Sequence, residues 1–178
     1  MPGILRVDQA NVDYIYAKTA GGKVYVPGHT IQIQQTVKND VFSSSSTSYV
    51  DITGLSVSIT PVSVNSKILV VANVKGQGGS NATTRLMRDS TAIFLGTASG
   101  SRTVGSGGDL FGSGSPGGAG QTNVHFFVDS PSTTSAITYK VQLVVYGSTA
   151  YINSTYNDSD ASYTMRGASS ITVMEIAQ

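Results

Sequence analysis

Two histidines, ten carboxylates and no cysteine are the groups from which this chain could build acid–base, nucleophilic or metal chemistry. His29 and His125 lie far apart, and neither belongs to a recognisable motif. General acid–base catalysis needs such a group held beside a partner that tunes it. No G-x-S-x-G elbow, H-E-x-x-H helix or H-x-E zinc signature occurs. Serine and threonine are abundant, but a hydroxyl becomes a nucleophile only beside a base and an orienting group. The absence of cysteine removes thiolate metal sites, cysteine nucleophiles and a disulfide framework together. No glycine-rich run is followed by Lys-Ser or Lys-Thr at phosphate-loop spacing. No catalytic residue, cofactor or resident metal is therefore assigned, and the chain reads as a non-enzyme.

The tightest carboxylate cluster is Asn157-Asp158-Ser159-Asp160. Its oxygens could serve calcium, which favours such ligands, or could simply cap an Asx-rich turn in water. Tyr151, Tyr156 and Tyr163 flank it. Tyrosine among small polar residues gives contact area at low entropic cost, so Tyr151, Tyr156, Asn157, Asp158, Asp160 and Tyr163 form a candidate receptor- or glycan-contact loop. Arg85, Arg88, Arg102 and Arg166 are scattered, and suit carbonyl capping or pairing with Asp89 and Asp109 better than a nucleic-acid patch. Asn81-Ala82-Thr83 and Asn153-Ser154-Thr155 match the glycosylation sequon, which carries little weight without a signal peptide.

The elements that must position these groups read as strands throughout. Residues 1–28 form a separate small unit: Ile4–Asp8 and Val12–Ala17 are short extended runs. Gly21-Gly22 separates the second from Lys23–Val26, and Pro27-Gly28 closes the unit as a turn. An isolated hairpin is marginal in water, so this arm must pack on the rest of the chain or on a neighbour. Ile4, Leu5, Val7, Tyr14 and Tyr16 are its candidate anchoring residues.

From His29 onward strand and turn alternate. Thr30–Gln34 and Leu55–Thr60 alternate apolar with polar, as half-buried strands do. Pro61 ends the second, because proline cannot donate to a ladder. Ser43–Ser46 reads as a turn before Tyr49–Ile52. The mostly apolar Lys67–Val74 predicts a central strand. Thr84–Arg88 and Ala92–Leu95 predict a hairpin about Asp89-Ser90. About half of residues 105–120 are glycine, which suits a flexible surface loop or one ordered by a partner. Val124–Val128, Ile137–Tyr146 (the longest candidate), Thr149–Asn153 and Ile171–Ile176 complete the set, with a polar loop over 154–162. No segment keeps helical periodicity for three turns. This spacing predicts an antiparallel β-sandwich or jelly roll over residues 29–178.

Composition narrows function further. Charged residues make up 12% of the chain and the net charge is +1, against about 25% charged in an ordinary domain. No broad field favours nucleic acid or an anionic membrane. Apolar residues reach 39% and come in strand-sized runs, which argues against disorder. No run approaches the roughly 20 apolar residues of a membrane helix. Met1-Pro2-Gly3-Ile4 has no basic region before an apolar run, so cytoplasmic synthesis, or export by something other than a cleaved signal, is expected. Solubility resting on hydroxyls and amides suits a protein that lives in an assembly.

Several runs carry a family likeness in their order. They are Thr36–Pro61, with its Phe42-Ser43-Ser44-Ser45-Ser46 and Gly54-Leu55-Ser56-Val57 stretches, then Ser66–Val70, Leu86-Met87-Arg88-Asp89-Ser90, Asp129–Ser135 and the closing Arg166–Ile176. Over about residues 30–178 the chain resembles small tailed-bacteriophage virion proteins and fibre C-terminal domains, and Leu5-Arg6-Val7-Asp8 looks like the entry segment of such fibres. The resemblance implies a trimeric β-sandwich appendage on the virion, a tail fibre or head decoration, with no catalytic residues to carry over. The chain lacks the long shaft of a full tail fibre, which favours a capsid decoration or short appendage. The expected partners are further copies of itself, other virion proteins and, in the alternative reading as a host-recognition module, a host surface glycan.

Overall fold

The computed structural model describes residues 26–178 except 78–80, 108–120, 157 and 163. The anchoring candidates Ile4, Leu5, Val7, Tyr14 and Tyr16 lie outside the described residues, as do Asp109, Asn157 and Tyr163 of the sequence reading. The described residues hold ten strands and no helix: β1 (Thr30–Lys38), β2 (Phe42–Ser44), β3 (Val50–Ile59), β4 (Lys67–Gln77), β5 (Ala82–Arg88), β6 (Thr91–Ile93), β7 (Gln121–Asp129), β8 (Ile137–Val145), β9 (Ala150–Ile152) and β10 (Ser169–Ile176). Every pairing is antiparallel.

The strands form two facing sheets. In the first, β4 is central, as its apolar run predicts. β7 borders it along Ile68–Gly76, while β10 and then β9 border its other edge. β1 lies beside β10 and β2 beside β9. Thus β1 and β2 are one run broken at 39–41, and β9 and β10 are one run from which residues 153–168 loop out. The second sheet has the order β3-β8-β5-β6.

The alternating strand β3 shows why the sheets meet. Leu55, Val57 and Ile59 point inward and are buried, while Ser56 and Ser58 face out. Opposite them Ile137, Tyr139, Val141 and Leu143 of β8 are buried. From the first sheet Ile68, Val70, Ala72 and Val74 of β4 and Ile171 and Val173 of β10 complete the core. Each fully buried aliphatic side chain contributes about 1.5–3 kcal/mol.

Four sequence expectations need correction. Tyr49–Ile52 and Leu55–Thr60 are not separate strands but one, β3, whose register against β8 shifts between Asp51 and Ser56. Gly54 takes φ +82 inside this bulge, a conformation glycine reaches without steric cost. Ser43 and Ser44, read as part of a turn, belong instead to the strand Phe42–Ser44, because β9 supplies partners for its backbone. The longest strand is β4, not β8. The chain after β8 does not fold back on it: β9 crosses to the first sheet and pairs with β2 and β4.

Candidate interaction surfaces

The candidate contact loop is built on Asn153, where the β9–β10 run is interrupted. Asn153 is fully buried and takes φ +63, a region asparagine tolerates better than most residues. Its Nδ2 donates to the carbonyls of Lys38 at 2.8 Å and Asp40 at 3.0 Å. Its Oδ1 accepts from Ser169 Oγ at 2.7 Å. The gap between β1 and β2 and the start of β10 are thereby tied to one side chain. This burial also removes Asn153 from consideration as a glycosylation acceptor.

Beyond this root, Tyr151 is half-buried on β9 and meets Tyr156 edge-on, with ring centroids 6.0 Å apart. Tyr156 is exposed, and Arg166 donates to Asp158 Oδ2 at 2.7 Å. Asp160 is exposed. The structure therefore brings Tyr151 to Tyr156 and engages Asp158 with an arginine. No group of three or more His, Cys, Asp or Glu able to hold a metal occurs among the described residues. Asp89, expected to pair with an arginine or leave the arginines to carbonyls, caps the Thr138 amide, and the Arg88 guanidinium meets Asp129 at 2.9 Å. Arg85 donates to Gln142 and stacks over Tyr49, 3.9 Å from the ring centre.

A second surface was not singled out from the sequence. The outer face of the β3-β8-β5-β6 sheet is polar, as a solvated face should be. Ser58 and Thr138 share a hydrogen bond, and Lys140 and Gln142 both donate to Asp51 at 2.7 Å. The outer face of the other sheet is apolar. Ile33, Met174, Leu69 and Val128 stand opposite one another across four strands. The next row runs Gln35, Thr172, Val71, Phe126, and the one after runs Val37, Ser170, Asn73, Val124.

Strand β7 is inside out. Val124, Phe126 and Val128 point to solvent, 58%, 63% and 49% exposed, while buried His125 and Asp129 point inward. The inward groups pin β7 to the opposite sheet. His125 Nε2 lies 2.8 Å from Thr84 Oγ1, and Asp129 accepts from Arg88 and from Tyr139 Oη. Burial lowers the His125 pKa, opposed in smaller part by the Ser106 backbone, so the imidazole stays neutral near pH 7. At the margin of β7, Phe94 takes φ +54 and stacks on Phe127 with centroids 5.1 Å apart. A bulky residue in that region costs on the order of 1–3 kcal/mol, and Phe94 and Leu95 remain exposed there. The available signal was the Phe126-Phe127 pair: adjacent strand residues face opposite ways, so one ring had to leave the core.

The fold and these surfaces define an all-β antiparallel sandwich with one polar and one apolar outer face. No family model matches the chain, and no curated protein matches it in sequence. Among solved structures it is similar to the infectious bursal disease virus VP2 subviral particle, at 13% identity and a TM-score of 0.42 over 82% of this chain. It is also similar to the structure of the infectious bursal disease virus Gx strain, at 12% identity and a TM-score of 0.35 over 84% of this chain. The matches span 33% and 39% of those longer chains.

Proposed function

We propose that this protein is a non-enzymatic structural subunit of a bacteriophage virion, a capsid decoration or short appendage that packs by apolar contact and strand addition. The observation that carries the reading is the apolar outer face ending in the inside-out strand β7. A face of this kind belongs to a surface that meets other protein. Counting β1 with β2 and β9 with β10, eight runs lie in the orders 1-8-3-6 and 2-7-4-5. We take this as a jelly roll, an architecture used by viral capsid and lectin domains. The sequence resemblance supports the virion assignment and implies a homotrimer. Supporting the non-enzymatic reading, Asp129, Glu175 and His125 are each engaged in hydrogen bonds that hold strands together.

Antibody raised against the purified chain tests the assignment on intact phage particles by electron microscopy. Regular labelling of head or tail is expected; particles that lack the chain altogether overturn it. A second reading, recognition of a host glycan, is favoured by the exposed Tyr156 ring standing edge-on to Tyr151 beside the Asp158–Arg166 pair. Virion appendages can do both.

A further inference from the structure

We propose that the outer face of the β1-β10-β4-β7 sheet, with Phe126 on its edge strand, is buried against a second copy of this chain. The inference deepens the structural reading above, and rests on it, by naming the surface and its occupant.

Charge selects the occupant. Across the three rows from Ile33 to Val124 no side chain carries a charge, and only Lys67 and Lys75 border them on β4. A differently charged partner would find nothing there to pair with. A second copy brings the same neutral rows, and with a net charge of +1 per chain two copies barely repel. Docking the face therefore desolvates methyl groups, rings and a few hydroxyls and amides, and leaves no buried charge unpaired.

The edge of the face is equally open. β7 pairs with β4 through nine consecutive positions without a register shift, and from Gln121 to Val128 it contains no lysine, proline or bulge. Those are the devices that normally blunt an edge strand. Among the described residues no backbone hydrogen bond is made to its far side. The inward pins at His125 and Asp129 hold β7 flat against the sandwich, so the edge is presented as a fixed template.

The three neutral rows span about six positions, so four strands about 4.8 Å apart with positions about 3.3 Å apart give them a footprint of roughly 400 Å². A stable interface uses about 800 Å² per partner, so these rows form the apolar centre of the contact and not the whole of it.

Sedimentation velocity on the full chain tests the proposal, with Phe126→Asp as the disrupting variant and Ser58→Asp, on the polar outer face, as the control. Both positions are exposed, so both variants should keep the wild-type circular dichroism and melting temperature. Wild type and Ser58→Asp should sediment as an oligomer, and Phe126→Asp should fall to the 18.5 kDa of one chain. A wild-type monomer at about 100 µM overturns the proposal, whether the face is open or covered by its own chain. An oligomer that survives Phe126→Asp overturns it as well. Self-association of a chain absent from particles would sink the virion role and leave the interface standing; a labelled particle built from a monomeric chain would do the reverse.

Discussion

Tyr139 Oη donates to Asp129 Oδ2 at 2.7 Å, a bond between the centre of one sheet and the edge strand of the other. Arg88 reaches the same carboxylate from β5 with 2.9 Å contacts to both oxygens. Burial, and then the carboxylate itself, push the Tyr139 phenol well above its ordinary pKa, so it remains a donor. The inside-out strand is thus held at one end by a buried pair spanning the sandwich.

Removing either partner should be unequal in cost. Tyr139→Phe deletes one hydrogen bond and should lower stability by about 1 kcal/mol. Asp129→Ala leaves the buried Tyr139 hydroxyl and Arg88 without their acceptor and should cost about 3–5 kcal/mol. Urea denaturation at pH 7 measures both, and equal midpoints for the two variants would show that the carboxylate is not the keystone.

The Asn153 root admits little change. Its amide donates to two carbonyls that have no other side chain in reach among the hydrogen bonds described. Asn153→Asp keeps the shape but turns both donors into acceptors facing those carbonyls. A loss of at least about 2 kcal/mol is expected, with slow exchange of the β9 and β10 amides becoming fast in hydrogen-exchange spectra.

Acid should loosen the β3–β4 connection first. Glu175 is fully buried and accepts from Val62 N at 2.7 Å and Gln32 Nε2 at 2.6 Å. Burial alone would raise its pKa, but these donors and the Ser63 backbone outweigh it and the net shift is downward. A carboxylate whose folded pKa is depressed contributes stability that is present above its unfolded pKa and is lost as pH falls through the folded one. The melting temperature should therefore hold down to about pH 5 and decline below it. Glu175→Gln should start lower and decline less steeply; an unchanged acid slope would remove Glu175 from this account.

Tyr139 works at the other extreme. Its folded pKa lies above its unfolded value of 10.0. The stability it contributes is present below about pH 10 and lost as pH rises further. Tyr139→Phe should be less sensitive to alkali than wild type in a thermal scan from pH 8 to about pH 11.

The loop reading has its own check. Tyr156 and Asp158 are exposed, so their alanine variants should change stability by no more than about 0.5 kcal/mol. A glycan array or host-cell binding assay should nonetheless lose its signal in both if the loop grips a receptor. Unchanged binding would remove the loop from that role.

Much of the sandwich was legible in the chain. Leu55-Ser56-Val57-Ser58-Ile59 names both its faces, because a strand's side chains alternate and hydroxyls are cheap to leave in water. The apolar Lys67–Val74 run named a central strand, and Asp89-Ser90 named a hairpin. Phe42–Ser44 was harder, since a three-residue strand exists only through partners distant in sequence, and for the same reason the Thr149–Asn153 strand was legible but its pairing with β2 and β4 was not. Of the contact-loop candidates, Tyr151 and Tyr156 do meet, yet their root at Asn153 was not legible, because nothing local marks an asparagine that will meet the carbonyls of Lys38 and Asp40.

Strand β7 divides what each level decides. By itself the sequence Val124-His125-Phe126-Phe127-Val128 determines an extended strand with apolar residues on both sides, and low charge throughout the chain determines that little repels a neighbour. It cannot say which side faces in, because shifting a strand by one residue exchanges its two faces. Only the tertiary structure makes that choice. Thr84, Arg88 and Tyr139 supply hydrogen-bond partners inside the sandwich, so His125 and Asp129 can be buried, and Phe126 is left to the outside.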